Sequence, residues 1–386
     1  MKHRRNSAAI RRDADLRVPI LSRLQTDLKH RHAWGGTNGP RRNLSVPVPA
    51  FVEKTDDWVG INTVVENLKT GLFDIAYRLQ AESGDQVDDA VCHDFFSLMD
   101  GFNAQLQAAA QVLVSSDVAK YILGYLFRET FPYLMRSRFV ERAFYKPLGH
   151  PGDHLIMEMV YRDEPAGDGK LGWLVDRWCL ASGAAESVRS SRTFLSHLLK
   201  ILCDERAKAR MPIRIMNIAC GSNRELFDFL RACDYSELID ATGIDGDVEA
   251  LAYTNRVVNT FAHSASIRLF HENIIRWVLG KSRHKFAPQH VIYSFGLTNY
   301  LEDSIFAALV KQAYDHLEDG GNLVVGNFGY ADYNKVFLDE IVQWKLIHRT
   351  ENELRDLLAT QFGDHVQITA EETGINLFAI AAKTLE

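Results

Sequence analysis

Residues 213–225, IRIMNIACGSNRE, decide the fold. Ile213, Ile215 and Ile218 mark a buried strand, Ala219 to Asn223 form a tight turn of small residues, and a helix opens at Arg224. In that order the three pieces make a site for a polar or anionic group. Backbone N–H groups at the helix start point at the ligand, and small side chains let it approach. Only Gly221 remains of a G-x-G-x-G spacing, because Ala219 and Asn223 occupy the flanking positions. About 20 residues on, a second strand ends at Asp245, where an acid can hold ribose hydroxyls.

From Ile213 onward strand and helix patterns alternate. Strands are expected at 213–218, 239–244, 266–270, 289–294, 321–327, 366–370 and 375–383, with helices at about 224–232, 247–260, 303–317 and 333–362. Such alternation predicts an α/β fold, a parallel sheet with helices on both faces. The last two strands are separated only by Glu371-Glu-Thr-Gly374, so the final strand should run antiparallel to its neighbour.

Upstream the pattern is helical. Val64, Leu68, Leu72, Ile75 and Leu79 make one stripe, and Phe95, Leu98, Met99, Phe102 and Leu106 a second. A third helix is expected at 116–127, and more at 155–161, 173–181 and 187–207. These divide the chain into a basic, partly disordered arm (1–50), a helical domain (51–185) and a ligand-binding α/β domain (186–386). Within the arm, apolar residues at 16, 20, 24 and 28 fall near helical spacing. Between helices lies Tyr145-Lys-Pro-Leu-Gly-His-Pro-Gly-Asp-His154. It is a linker by its prolines and glycines, or a site by its display of Lys146, His150, Asp153 and His154. Arg189 and Arg192, at i and i+3, share a helix face and could hold a carboxylate.

The chain has 386 residues, 46% hydrophobic and 24% charged, an ordinary globular mixture long enough for two domains. It contains no apolar run of membrane-spanning length. Five cysteines lie scattered without C-x-x-C spacing, which predicts free thiols in a reducing cytoplasm. The histidines form no H-x-x-x-H pair on a helix, so no metal site is expected. Residues 1–45 carry eleven Lys/Arg against three Asp. That arm lacks interleaved aromatics, so it reads as solvated rather than as a nucleic-acid binder.

At the carboxyl ends of the strands, where open α/β sheets bind ligands, four groups collect: Asn217 to Arg224, Asp245 with Asp247, His271 to Ile274, and Tyr293 to Tyr300. This layout resembles the Rossmann-like (class I) S-adenosylmethionine-dependent methyltransferases, whose seven-stranded sheet also ends in an antiparallel hairpin. The resemblance covers roughly 190–386. A nicotinamide dehydrogenase would share the glycine loop and the acid, but the hairpin and the degraded glycine pattern count against it.

A narrower resemblance rests on KPLGHPGDH (146–154), VRSSR (188–192), NIACGSNREL (217–226), GIDGDVEAL (243–251), YSFGLTNYL (293–301), LEDGGNLVVGNF (317–328) and the segment 342–349, taken as helical. In that order they are similar to a bacterial subfamily that makes a 3-hydroxypalmitic acid methyl ester signal. Related enzymes cyclise S-adenosylmethionine to azetidine-2-carboxylate. The chain departs from the subfamily at Gly149–His154 and at Asn299, both on the acceptor side.

The resemblance implies S-adenosylmethionine as cofactor. Asn217, Ala219, Gly221 and Asn223 would lie at its methionine end, Asp245 on the ribose, Asn273 and Ile274 beside the adenine, and Ser294 and Arg192 at the remaining contacts. Asn299, Tyr300 and Ser294 would face the reacting centre, with His150, His154 or Asp153 as a base for a hydroxyl or amine acceptor; a carboxylate acceptor needs none. The implied activity is methyl transfer to a small carboxylate- or hydroxyl-bearing metabolite in secondary metabolism or signalling. The alternatives are the cyclase, in which the cofactor's own amine attacks, and a module that only senses the cofactor.

Overall fold

Strand, turn and helix at 213–232 sit at the centre of a seven-stranded sheet. The computed structural model describes residues 47–81, 84, 86–115, 118–331 and 335–384. The basic arm, with its stripe at 16–28, lies outside the described residues apart from its last few positions.

Seven helices come first: α1 (Asp56–Ala81), α2 (Asp89–Ser115), α3 (Ala119–Leu134), α4 (Arg138–Tyr145), α5 (His154–Arg162), α6 (Gly169–Leu180) and α7 (Gly183–Lys208). Alternation follows, with β1 (Ile213–Ile218), α8 (Arg224–Ala232), β2 (Ile239–Asp245), α9 (Val248–Val258), β3 (Ser266–His271), α10 (Ile274–Val278), β4 (Gln289–Ser294), α11 (Asp303–His316) and β5 (Leu317–Phe328). The chain closes with α12 (Glu351–Phe362), β6 (Val366–Ala370) and β7 (Asn376–Ala382).

The strand order is β3-β2-β1-β4-β5-β7-β6. The first five strands are parallel, and β7 runs antiparallel between β5 and β6. The expected Rossmann-like sheet with a terminal hairpin is therefore the observed one. Side-chain alternation splits β1 between two cores. Ile213 and Ile215 pack with α7, α8 and α9, whereas Met216 and Ile218 pack with α10, α11 and α12. A strand covered on both faces reads as a nearly continuous apolar run, as β1 does.

The helices of the first half share a third core, which also takes in Phe328, Phe337, Ile341, Val342, Trp344 and Ile375 from the later chain. On α1 the buried stripe is Ile61, Val65, Leu68, Leu72, Ile75 and Leu79, with Val64 at its margin. Helix α3 runs on to Leu134 through Pro132, beyond the expected end. The cost of the one N–H that proline lacks is set against burial of Leu126, Phe127 and Leu134. None of the helices among the described residues is long and apolar enough to cross a membrane.

The largest correction concerns 333–362, expected as one helix. A π-helical turn, Phe337–Val342, stops at Gln343, which adopts a left-handed φ of 57°. Residues 343–350 have no helical structure, and a new helix starts at Thr350 with a capping box to Glu353. Arg349 holds the intervening segment down. It is 2% exposed and donates to Thr298 O (3.0 Å), Leu301 O (2.6 Å), Asn327 Oδ1 (3.0 Å) and Asp303 Oδ1 (2.7 Å). Arg349→Met should lower stability by roughly 1–3 kcal/mol in urea unfolding, because buried carbonyls lose their donors. Arg349→Lys should recover little of it, since an ammonium cannot reproduce the guanidinium fork.

Candidate active site

The turn after β1 is coiled by three left-handed residues, Ala219 (φ 57°), Gly221 (φ 50°) and Asn223 (φ 54°). Neighbouring segments lock it. Cys220 N donates to Ile244 O (3.1 Å), and Thr254 Oγ1 donates to Gly221 O (2.7 Å). Asp245, at the end of β2, accepts from Gly221 N and from Asp247 N, each at 2.8 Å. Burial pushes its carboxyl above the usual range, and those two N–H groups oppose the shift. Each oxygen keeps a further lone pair, so the group can still accept hydroxyls.

Behind the turn lies a buried polar cluster. Asn217 Nδ2 donates to Asn223 Oδ1 (2.8 Å) and Glu225 Oε1 (2.9 Å), and the Tyr293 hydroxyl reaches both oxygens at 3.1 Å. Burial raises the Glu225 carboxyl. Asn217 Oδ1 and Asn223 Nδ2 are left without hydrogen-bond partners. Both asparagines and Glu225 line a cavity of about 1360 Å³ that opens over the strand ends. The two orphaned atoms, one acceptor and one donor, are closed off from solvent beneath this wall, in the cluster that backs the turn.

Of the expected site residues, Asn217, Ala219, Gly221, Asn223, Asp245, His154, Asn299 and Tyr300 converge on this cavity. Five others do not line it. Ser294 is fully buried and its hydroxyl donates to Ile218 O (2.8 Å), tying β4 to β1. Arg192 is held by Asp228 through two bonds (2.6 and 2.9 Å), with its guanidinium over the Tyr161 ring. Asp153 caps α5 by accepting from Leu155 N and Ile156 N, and it pairs with Arg142 (2.8 Å). Asn273 is spent as the cap of α10, accepting from Arg276 N, and Ile274 turns into the core. The cavity meets Ile275 instead, because a helix, not a loop, follows β3.

The 145–154 loop belongs to the cavity wall. His154 Nδ1 lies 3.2 Å from Asp247 Oδ2, and this contact helps hold the Asp247 carboxyl below its usual range although burial works the other way. Burial pushes the His150 imidazole down, so it is neutral at pH 7. Gly152 lets the Tyr300 hydroxyl come close, since a Cβ there would sit 2.8 Å from it. That hydroxyl accepts from Trp344 Nε1 (2.7 Å). Glu225 is a wall residue that sequence patterning missed, since an acid in the first turn of a helix suggests no site. Trp344 belongs to the core and lines the wall as well.

Helix α5 is clamped to the turn by Glu158, which is 3% exposed. It accepts from Arg224 Nε (2.7 Å) and from the Tyr253 hydroxyl (2.6 Å). One group of contacts thus fixes the helical wall against the start of α8.

A family model described as "Putative methyltransferase" matches residues 152–243, from Gly152 through β1 and its turn into β2. The fold is that of the class I S-adenosylmethionine-dependent methyltransferases. Family match and strand order agree on a methyltransferase fold, for which S-adenosylmethionine is the cofactor. The cavity fits the molecule: the polar end walled by Asn217, Gly221, Asn223 and Asp245 suits its amino-acid and ribose groups. No curated protein matches the chain. Among solved structures, a possible exported protein from Bordetella parapertussis is similar at a TM-score of 0.49 and 15% identity, covering 88% of this chain and 100% of that one. Magnesium protoporphyrin IX methyltransferase from Synechocystis PCC 6803, with bound S-adenosylhomocysteine, gives 0.41 and 9%, covering 60% and 98%. The N-methyltransferase NodS from Bradyrhizobium japonicum WM9, also with S-adenosylhomocysteine, gives 0.36 and 15%, covering 50% and 87%. No group of three or more metal-ligating side chains occurs among the described residues.

The clamp carries a pH signature. Burial raises the Glu158 carboxyl, but hydrogen bonds from Arg224 and Tyr253 outweigh it and hold the group below its ordinary 4.5. A depressed folded-state value means that its stabilisation is fully present above 4.5 and is lost as pH falls through the folded value. Glu158→Gln should lower the urea midpoint at pH 7. Below pH 4.5 the difference from wild type should shrink, as measured by urea titrations at several pH values.

Proposed function

We propose that the protein transfers a methyl group from S-adenosylmethionine to a second, separate molecule, a carboxylate- or hydroxyl-bearing metabolite of bacterial secondary metabolism or signalling. The observation that carries this reading is the size of the cavity. Pockets for one drug-sized ligand run to roughly 300–1,000 Å³. At about 1360 Å³ this one has room for the cofactor and an acceptor together. A cyclase needs room for the cofactor alone, and a sensor needs no second chamber.

The walls divide by chemistry. Asn217, Asn223, Gly221 and Asp245 make a polar end that fits the amino-acid and ribose groups. Beyond Asn299 and Tyr300 the wall becomes apolar, with Phe139, Met157, Trp178, Phe328, Phe337 and Trp344. When bound, S-adenosylmethionine supplies an electrophilic methyl carbon. The chain's part is to align the acceptor with that carbon and to keep water out. Asn299 is fixed for this by accepting Phe328 N (2.8 Å) on its Oδ1 and Ile347 N (2.8 Å) on its carbonyl. Tyr300 stays a neutral phenol, its ionisation pushed up by burial.

The two histidines stand with the aspartates. His154 touches Asp247, and His150 feels both Asp245 and Asp247. His150 also feels Asp153, and Gly152 of the same loop packs against Tyr300 and Trp344. The reading favours an acceptor oxygen that is already nucleophilic, a carboxylate, which needs no base.

The test is incubation of the pure protein with S-adenosylmethionine, alone and with a panel of apolar carboxylic acids, followed by mass spectrometry. S-Adenosylhomocysteine and a methyl ester should appear only when an acid is added. Methylthioadenosine and azetidine-2-carboxylate from the cofactor alone would establish the cyclase, and tight binding without turnover on any acceptor would leave a sensor. Asp245→Ala should weaken S-adenosylhomocysteine binding by roughly ten-fold or more in calorimetry, the worth of hydrogen bonds to a charged group. Unchanged affinity would remove Asp245 from the cofactor site.

A further inference from the structure

Lys146 sits at the end of α4 in the left-handed conformation (φ 49°), its N–H bonded to Arg142 O. A glycine adopts that conformation more readily than a lysine does. What the lysine brings is its ammonium, on a side chain that lines the cavity. Among the described residues its polar partner is a backbone carbonyl, Gln343 O, at 2.8 Å. Burial pushes the ammonium down and no carboxylate offsets that shift.

The other charges on this wall are accounted for differently. Lys120 is exposed, with its ammonium 4.9 Å from the centre of the Tyr121 ring, Asp339 pairs with Lys335, and Glu340 lies 3.9 Å from Lys345. Glu302, at the start of α11, is exposed at the rim. An ammonium with three donors, drawn half out of water and bonded to one carbonyl, lacks an anion. Lys146 also lies apart from the histidines of its own loop. They turn toward Asp245 and Asp247, and it turns toward 343–344.

We propose that Lys146 is the anion anchor of the acceptor chamber, holding a carboxylate of the second substrate while Phe139, Phe337 and Trp344 take its apolar body. The proposal rests on the methyl-transfer reading for the existence of an acceptor. It makes Lys146 a specificity-determining residue that selects an acid over the uncharged alcohol of the same skeleton. The cofactor's own carboxylate is served separately, at the polar end of the cavity.

The probes are 4-phenylbutyrate and 4-phenylbutan-1-ol, titrated by calorimetry into wild type, Lys146→Met and Lys146→Arg, with and without saturating S-adenosylhomocysteine. Wild type should prefer the acid by roughly ten-fold or more, the worth of a charge-assisted hydrogen bond. Lys146→Met should lose that preference while its S-adenosylhomocysteine affinity stays at the wild-type level, which also shows that it is folded. Lys146→Arg should keep most of it. Equal binding of acid and alcohol by wild type, no binding of the acid, or an undiminished preference in Lys146→Met would each overturn the assignment. Failure of wild type to bind S-adenosylhomocysteine would instead overturn the methyl-transfer reading, because the acid-to-alcohol ratio is also measured in its absence.

Discussion

The site depends on one buried carboxylate that serves two loops. Asp245 takes an N–H from Gly221 and another from Asp247, so the turn after β1 and the start of α9 are held in fixed relation by a single side chain. Parallel strands β1 and β2 bring their ends side by side but do not shape the loops beyond them. Backbone sterics disfavour three left-handed residues in five, two of them not glycine. The turn is held coiled by its bonds to β2 and α9 and by the cluster around Asn217.

A second constraint joins the halves of the chain. Glu158 on α5 meets Arg224 at the first position of α8. The family match begins just before α5 and ends in β2, so it spans both partners of this clamp. The helical wall and the cofactor turn are therefore one structural unit, although some sixty residues of chain separate them. The 145–154 loop hangs between Arg142, which pairs with Asp153, and this clamp, and its path follows from them.

The α/β half was legible because its signals are local and periodic. Apolar runs, a short hairpin gap and a strand-end acid required no knowledge of tertiary contacts, and Asp245 and the 217–223 turn could be placed directly. The misses share a cause: side chains whose identity suggests chemistry were used for structure. Ser294, Asp153 and Asn273 all satisfy backbone groups, which polar residues at element ends often do. Arg192 found a carboxylate on a neighbouring helix, which spacing within its own helix could not reveal. The break at Gln343 was invisible because the residues flanking it suit a helix. It is imposed by Arg349, whose partners lie on β5 and in the loop after β4. Glu225 escaped for the opposite reason: an acid in the first turn of a helix needs no other explanation.

The two sides of the acceptor chamber are unequally secured. Residues 343–349 are bonded through Arg349, Ile347 and Asn327 to the loop that carries Asn299, so that side behaves as one block. The facing loop, 146–152, meets that block through the Lys146 ammonium and through the close approach that Gly152 permits at Tyr300. A molecule entering the chamber thus has an easier door and a harder wall. The bond to Gln343 uses one of the three donors of the Lys146 ammonium, so an anion held by the others would tie the loop to the block a second time.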